Sequence, residues 1–209
     1  MSQLDFYFDF LSPYGYFAAM RVDDVAKRHD LTVRWRPFRL GVAVVKVMGL
    51  KPNMETPLKA PYIKQDIMRL AQILGLPLNP PERLLDPLPP ALLFYGTPLD
   101  SQPDLAKSLF AAYWGEGRDV SSPEVLVTIG RSNGMSEDAV RAALNGAECR
   151  QKLTQQTNAA IEKGVFGSPT FHVYGESFWG VDRMWVMERF LRHGKKYLPM
   201  TDAELSTHF

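Results

Sequence analysis

The chain has 209 residues, a formal net charge of +1 and 45% hydrophobic residues, which is the composition of an ordinary globular protein. The near-zero charge and the lack of a long basic run argue against a nucleic-acid partner. No apolar run approaches the ~20 residues that a membrane-spanning helix needs, and the only cysteine, Cys149, excludes an intramolecular disulfide.

The N-terminus predicts a cytoplasmic protein. A secretory signal peptide begins with a basic segment that leads into an apolar one. Here no basic residue precedes the first apolar stretch, and Asp5 and Asp9 lie within it. The length suits a single domain that carries an inserted subdomain.

The first 61 residues predict a strand, a helix, a second strand and a loop. Apolar residues alternate over 4–9, a helical pattern covers 13–28, and alternation returns over 31–38. Two strands joined by a helical crossover pair in parallel. Residues 41–61 are rich in Gly and Pro and predict a loop with a short helix near 42–48.

The middle of the chain, from about 57 to 163, predicts an almost wholly helical segment. Proline-rich stretches at 77–81 and 87–90 interrupt it. Ser136, which two acidic residues follow, is a good helix start. The predicted helices cover 61–74, 103–114, 122–132, 136–144 and 146–163.

After Gly167 the alternation typical of a strand returns. Residues 169–174 predict a strand, a turn leads into a second strand over 177–179, and a helix follows over about 183–192. Neither the first two strands nor the last two form a stable sheet alone, so we expect them to join.

The element order therefore predicts an α/β protein with a thioredoxin-like fold and a large helical insertion after the second strand. Residues 1–56 and 164–209 would form a discontinuous thioredoxin-like domain. Residues 57–163 would form the inserted helical domain.

The segment Phe8-Asp9-Phe10-Leu11-Ser12-Pro13-Tyr14 connects the first strand to the first helix. Ser12 is placed at the N-cap and Pro13 at the first helical position, where a helix end attracts negative charge. Thioredoxin-like redox proteins carry two cysteines here, but this chain has Ser12 and Gly15. Disulfide exchange needs two thiols, so the class of disulfide oxidoreductases is excluded. A purely structural N-cap role for Ser12 stays open.

Two further positions are candidates for a binding edge. In a thioredoxin plan Pro169 forms a cis peptide bond that faces the first helix, and the backbone of Ser168 offers an edge to a peptide-like ligand. Asp182, predicted at the N-cap of the last helix, and the N–H groups beside it are placed to bind the α-amino and α-carboxylate groups of a ligand. In the alternative interpretation, Pro169 only opens an edge strand and Asp182 only caps a helix.

Four segments carry a resemblance to a known family: residues 5–14, 113–117, 160–171 and 179–183. In these segments and their order, the chain resembles the 2-hydroxychromene-2-carboxylate isomerases, which group with kappa-class glutathione transferases in the DsbA-like branch. Val181 departs from the pattern, because the isomerases usually carry a polar Asn there.

The resemblance implies an enzyme that uses glutathione as a cofactor, acts on a small aromatic or conjugated carboxylate, forms a homodimer and binds no metal. Ser12 would be the catalytic residue and contact the glutathione sulfur, whose thiolate adds reversibly to the substrate. The resemblance implies that the glutathione-binding residues are Asn53, Lys59, Ser168, Pro169, Asp182 and Arg183.

The second pocket of such an enzyme is less defined by the sequence. The aromatic candidates are Tyr14, Phe94, Tyr113 and Trp114, and either Arg83 or Lys46 would pair with a substrate carboxylate. Three functions therefore stay open at this point: a glutathione-dependent isomerase, a kappa-like glutathione transferase or peroxidase, and a non-catalytic thioredoxin-fold module that binds a peptide or a partner protein.

Overall fold

The structure is a computed structural model that describes residues 2–81, 84–194 and 199–208. Arg83, one of the two candidates for a substrate carboxylate, lies outside the described residues. None of the helices in these ranges combines the length and the hydrophobicity that crossing a membrane requires.

The chain begins with strand β1 (Ser2–Phe8) and returns to strand β2 (Leu31–Pro37). The two strands pair in parallel with Phe6 opposite Trp35, as the sequence predicts. The crossover is two helices, α1 (Pro13–Ala19) and α2 (Val22–Arg28), so the prediction of one helix over 13–28 is wrong.

The second pair of strands follows the helical region. Strands β3 (Thr170–Val173) and β4 (Glu176–Trp179) form an antiparallel hairpin, and β3 pairs antiparallel with β1. Within the described residues the sheet order is β2-β1-β3-β4. Because β1 and β3 are neighbours in the sheet, the loop before β3 lies beside the end of β1, where Ser12 follows.

Helices fill the sequence between β2 and β3. A turn of π-helix (Val42–Val47) lies in the predicted loop, and a 3-10 turn (Asn53–Glu55) follows it. The helices are α3 (Lys59–Leu74), α4 (Leu88–Tyr95), α5 (Gln102–Phe110), α6 (Pro123–Ser132), α7 (Glu137–Asn145) and α8 (Ala147–Glu162), with a π-helical turn at Ala111–Gly115. All but α4 were predicted within a few residues.

After β4 the chain forms a 3-10 turn (Val181–Arg183), then α9 (Met184–His193) and α10 (Asp202–His208). Asp182 lies inside the 3-10 turn, so its prediction as the N-cap of the following helix is wrong. Arg183 is the residue before the first helical position, and it makes no side-chain capping bond. α10 was not predicted.

The core joins the sheet to the helical region. Phe8 on β1 contacts Phe94 of α4 and Phe110 of α5, with ring centroids 6.0 and 5.5 Å apart. Phe10, beyond the end of β1, lies 4.9 Å from Phe110. All four rings are essentially inaccessible to solvent, so helices between β2 and β3 pack directly behind the Ser12 turn. The division into domains at residues 57 and 163 stays a prediction.

Candidate active site

Ser12 is the N-cap of α1, as predicted, with Pro13 at the first helical position. Its side-chain oxygen accepts a hydrogen bond from the Gly15 N–H at 3.0 Å and donates its single proton to the Ser168 carbonyl at 2.8 Å. Ser12 is 6% exposed. A serine hydroxyl has one proton to donate, so a new acceptor at Ser12 has to replace the Ser168 carbonyl.

The loop that faces Ser12 contains a cis peptide bond between Ser168 and Pro169, as the thioredoxin plan predicts. Both residues are buried. The Pro169 carbonyl accepts a hydrogen bond from Gly180 N–H at 2.9 Å. The sequence suggested that the backbone of Ser168 is open to a ligand, but in the structure its carbonyl is already bound by Ser12.

Asp9 is a site residue that the sequence reasoning missed. Its carboxylate accepts hydrogen bonds from the N–H groups of Leu11 at 2.9 Å and Leu40 at 2.8 Å, and its own N–H donates to Ser168 Oγ at 3.0 Å. Ser12 N–H in turn donates to the Asp9 carbonyl. Burial raises the pKa of Asp9 to about 6 although both backbone hydrogen bonds lower it. An acidic residue between two phenylalanines at the end of a buried strand was the available signal.

Gly15 occupies the position of the second cysteine in redox-active relatives of the fold. A Cβ atom built there would lie 3.2 Å from both Ser12 Cβ and Ser168 Oγ, and 3.4 Å from the Asp9 carbonyl oxygen. The two 3.2 Å separations are tighter than ordinary van der Waals contact, whereas 3.4 Å lies at its limit. A side chain at this position would therefore displace Ser12 or Ser168 by a few tenths of an ångström.

Tyr14 and Asp182, two residues that the sequence singled out, lie on the same side of α1. The half-buried Tyr14 donates its hydroxyl hydrogen to Asp66 of α3 at 2.7 Å. Burial and this bond raise the pKa of Tyr14 well above its usual range, and the charge of Asp182 adds to the effect. Asp182 itself is 68% exposed, with the Arg183 guanidinium 3.7 Å away. Two carboxylates thus flank Tyr14, and such a pair suits a cationic amino group.

Asn53 and Lys59 come together at the start of α3, where the Lys59 ammonium donates to the Asn53 amide oxygen at 3.2 Å. Both side chains are exposed. Lys59 precedes Asp66 by seven residues, or about 10 Å along a helix. Because Asp66 binds Tyr14, the pair lies at the start of the helix that borders the Ser12 turn, with Asn53 in the 3-10 turn before that helix. Lys46, the remaining candidate for a substrate carboxylate, is exposed in the π-helical turn.

The other aromatic candidates are core residues. Tyr113 is 1% exposed and accepts a hydrogen bond from Leu85 N–H at 3.1 Å. Trp114 is 4% exposed and donates its indole N–H to the Phe10 carbonyl at 2.9 Å. Phe94 is fully buried. Burial argues against direct substrate contact for these three, and Trp114 supports the Ser12 turn from behind.

Comparison with known proteins agrees with this geometry. A family model described as a DSBA-like thioredoxin domain matches residues 3–192. The fold is therefore that of the DsbA-like thioredoxin class.

Comparison with individual relatives shows to which family within this class the chain belongs. A 2-hydroxychromene-2-carboxylate isomerase of Pseudomonas putida is 31% identical over 186 residues, covering 88% of this chain and 92% of the relative. Glutathione S-transferase kappa 1 of Rattus norvegicus is 25% identical over 211 residues, covering 93% of this chain and 92% of the relative. A solved structure of a 2-hydroxychromene-2-carboxylate isomerase superposes with a TM-score of 0.84 at 31% identity, covering 91% of this chain and 94% of that one. The chain belongs to the family of 2-hydroxychromene-2-carboxylate isomerases and kappa-class glutathione transferases within the DsbA-like thioredoxin fold, and it is an enzyme.

Proposed function

We propose that the protein is a glutathione-dependent isomerase of the 2-hydroxychromene-2-carboxylate type, with Ser12 as the catalytic residue. The observation that carries the proposal is the Ser12 hydroxyl, paired with the Ser168 carbonyl beside the cis bond to Pro169. This pair offers one donor and one acceptor to a ligand. Bound glutathione would supply a thiolate that adds reversibly to a conjugated carbon of the substrate and leaves again after the substrate has rotated.

Glutathione fits the pair because its cysteine carries both a thiol and an amide N–H. If the ligand N–H takes the Ser168 carbonyl, the Ser12 hydroxyl is free to turn to the sulfur. A buried carbonyl left without a donor costs about 1–3 kcal/mol, so a ligand without the N–H would lose much of the gain. Because the ligand N–H has to replace the Ser12 hydroxyl at the Ser168 carbonyl, the site favours a ligand with an amide next to its thiol.

This change of hydrogen-bond partners also sets how far Ser12 lowers the pKa of the bound thiol. A thiol with a pKa near 8.5 is only about 3% ionised at pH 7, and lowering that pKa to about 6.5 requires roughly 2.7 kcal/mol. A hydrogen bond to an anion is worth about 1.5–3 kcal/mol, and the neutral bond that it replaces about 0.5–1.5 kcal/mol. Ser12 therefore lowers the thiol pKa by roughly one unit if the Ser168 carbonyl loses its donor. The effect is larger if the ligand N–H donates to that carbonyl instead.

The N-terminal end of α1 stabilises the thiolate less than the sequence suggested. α1 ends at Ala19, Pro13 has no N–H, and that of Gly15 is already bound to Ser12. A helix N-terminus contributes about 0.3–1 kcal/mol. The hydroxyl of Ser12 is thus the main activating group.

The charged residues around the turn suit the rest of the tripeptide. Lys59 with Asn53, and the exposed Arg183, are donors for its two carboxylates, while Asp182 is an acceptor for its ammonium group. Asn53 lies in the 3-10 turn before α3, Lys59 at the start of α3, and Asp182 and Arg183 in the 3-10 turn before α9. Both α3 and that last turn contact α1. Pro169 and the backbone of Ser168 complete the proposed glutathione site.

Small aromatic or conjugated carboxylates are the proposed substrates, bound beside Tyr14, the aromatic candidate that is not in the core. Lys46 is the described cation proposed for the substrate carboxylate. A kappa-like glutathione transferase is the second candidate function, because the rat kappa enzyme matches 93% of the chain. Both reactions need the same activated sulfur, and they differ in whether glutathione is consumed.

We also propose a cytoplasmic homodimer. Large apolar side chains are exposed on α3 and on the segment before it, which favours a covered surface. These residues are Val45, Val47, Met48, Leu50, Leu58, Tyr62, Met68 and Ile73. Light scattering coupled to size-exclusion chromatography tests the dimer, and a monomeric mass would contradict it.

Titration of glutathione with the purified protein across pH, followed by thiolate ultraviolet absorbance, tests the proposed function. We expect saturable binding and a bound thiol pKa well below 8, and in Ser12→Ala a bound thiol pKa higher by about one unit or more. Ser136 is a matched control, because it is also an N-cap whose hydroxyl accepts an N–H, at α7. Ser136→Ala should leave the thiol pKa unchanged.

Three outcomes separate the possibilities. An unchanged thiol pKa and turnover in Ser12→Ala would remove the role of Ser12. Conversion of chromene carboxylates with no loss of glutathione supports the isomerase, whereas consumption of glutathione by an electrophile supports the transferase.

A further inference from the structure

We infer a second ligand site, a cleft at the free edge of the sheet, that binds a small aromatic carboxylate. The cleft has a volume of about 290 Å³ and is lined by residues of β2, α8, the end of α4 and the first turn of α5. β2 is the edge strand of the described sheet, so the cleft runs along a strand that pairs with β1 alone among the described strands. None of its lining residues belongs to the Ser12 site.

The charge of the cleft is positive. Arg34, Arg36 and Lys152 line it, and no carboxylate is among its lining residues in the described part of the chain. Asp5, on the neighbouring strand, pairs with both guanidinium groups. Three cations against one buried carboxylate leave an excess of positive charge, which attracts an anion.

Several donors in the cleft are unused within the described part of the chain. Arg34 binds Asp5 through Nε and Nη2, which leaves Nη1. Arg36 binds Asp5 through Nε and Gln156 through Nη1, which leaves Nη2. Lys152 forms no ion pair in these ranges and lies 5.8 Å from the Tyr95 ring.

Trp35 supplies an aromatic wall to the cleft. It is 7% exposed and lines the cleft, and its Nε1 is buried without a hydrogen-bond partner in the described residues. Because that atom is inaccessible to solvent, a ligand in the cleft would contact the Trp35 ring and not its N–H.

The remaining walls indicate an aromatic ligand. Val33, Leu99 and Pro103 are apolar lining residues, and side chains of β2 alternate between the sheet faces. Trp35 therefore approaches the cleft from one face and Arg36 from the other. The volume lies at the lower end of ligand pockets, which run from about 300 Å³, and accommodates one ring with a carboxylate. The cations would hold the carboxylate, while the apolar wall and the Trp35 ring hold the aromatic ring of the ligand.

Isothermal titration calorimetry with benzoate tests the site, with uncharged benzamide as the matched ligand. We expect saturable benzoate binding that weakens as salt is added, and much weaker binding of benzamide. Lys152→Met removes one exposed charge, keeps the fold and should weaken benzoate binding about threefold or more. Lys27→Met, an exposed lysine on α2, should have no effect.

The titration is repeated with saturating glutathione, which separates this site from the Ser12 site. Unchanged benzoate affinity in the presence of glutathione supports a separate cleft, and displacement of benzoate by glutathione would overturn it. Absence of saturable binding, equal binding of benzamide, or equal affinities in Lys152→Met and Lys27→Met would also overturn it. If the protein does not bind glutathione, the proposed function fails. The benzoate affinities of Lys152→Met and Lys27→Met still test whether the cleft is a ligand site.

Discussion

At the scale of single residues, the candidate site is a polar network between two parts of the chain that are far apart in sequence. Ser12, Ser168 and Asp9 hold one another through three hydrogen bonds. The Ser-Pro signature predicts the N-cap because capping is local. The partner of the Ser12 hydroxyl lies 156 residues away, so no local pattern indicates that its proton is already committed.

Asp9 should impose a distinctive pH dependence on stability. Burial raises its pKa from 3.8 to about 6, so between these values the folded protein keeps a proton that the unfolded chain has released. Stability therefore falls as pH rises through this window, by up to about 3 kcal/mol once Asp9 is ionised. Urea unfolding at closely spaced pH values from 4 to 7 measures the slope relative to Asp9→Asn, which cannot ionise.

The Asn variant is expected to be less stable than the parent at low pH, because its amide offers one acceptor where Asp9 serves both Leu11 and Leu40. The gap should narrow as pH rises. Asp100→Asn, at an exposed position, controls for general charge effects. A gap between Asp9→Asn and the parent that stays constant with pH would contradict the inference.

At the scale of elements, the strands, their parallel pairing and most helices could be predicted because hydrophobic periodicity is strong there. Two failures have physical reasons. The break after α1 contains neither Gly nor Pro, but Asp23 and Asp24 stand in the first turn of α2, where acidic residues favour a helix start. α4 was read as an interruption because of Pro89 and Pro90. They lie in its first turn, where a missing N–H costs nothing.

Trp114, in the π-helical turn at Ala111–Gly115, donates to the Phe10 carbonyl beside the Ser12 turn. We expect this contact to contribute measurably to the free energy of unfolding. In Trp114→Phe the Phe10 carbonyl loses its donor and the smaller ring leaves a cavity, and we expect a loss of about 2–4 kcal/mol in the free energy of unfolding. Trp179→Phe is the matched control, since Trp179 is 54% exposed, and should cost less. Chemical denaturation of both variants measures the difference, and equal losses would contradict a supporting role for Trp114.

At the scale of the whole molecule, a buried ionic cluster links the sheet to the last helix of the central segment. Asp5 on β1 is 3% exposed and accepts bonds from Arg34 and Arg36 on β2. Arg36 also donates a hydrogen bond to the side-chain oxygen of Gln156 on α8 at 2.8 Å. The Lys163 ammonium lies 3.7 Å from the Asp5 carboxylate. The predicted domain boundary at residue 163 thus lies within one cluster, which favours a chain that unfolds as a unit.

Replacing Asp5 tests that coupling. Burial raises the pKa of the Asp5 carboxyl, but bonds from Arg36 and Arg34 outweigh it, so the pKa lies below its usual value. The ionised group therefore stabilises the fold at neutral pH, and this contribution is lost as pH falls below about 4. Asp5→Asn leaves two guanidinium groups without their carboxylate. Breaking a buried pair costs about 3–5 kcal/mol, and because both arginines are partly exposed we expect roughly 2–3 kcal/mol.

The parent should unfold in a single transition, with the fluorescence of the tryptophans and the helical circular dichroism changing at the same denaturant concentration, whereas in Asp5→Asn the two signals should separate. Asp23→Asn breaks an exposed pair with Lys107 and should cost less than about 1 kcal/mol. If the two signals separate in Asp5→Asn but coincide in the parent, the cluster is the connection that makes the halves cooperative. If they separate in the parent as well, the sheet and the helical segment are independent units, and the coupling inferred from Arg36 and Gln156 is wrong.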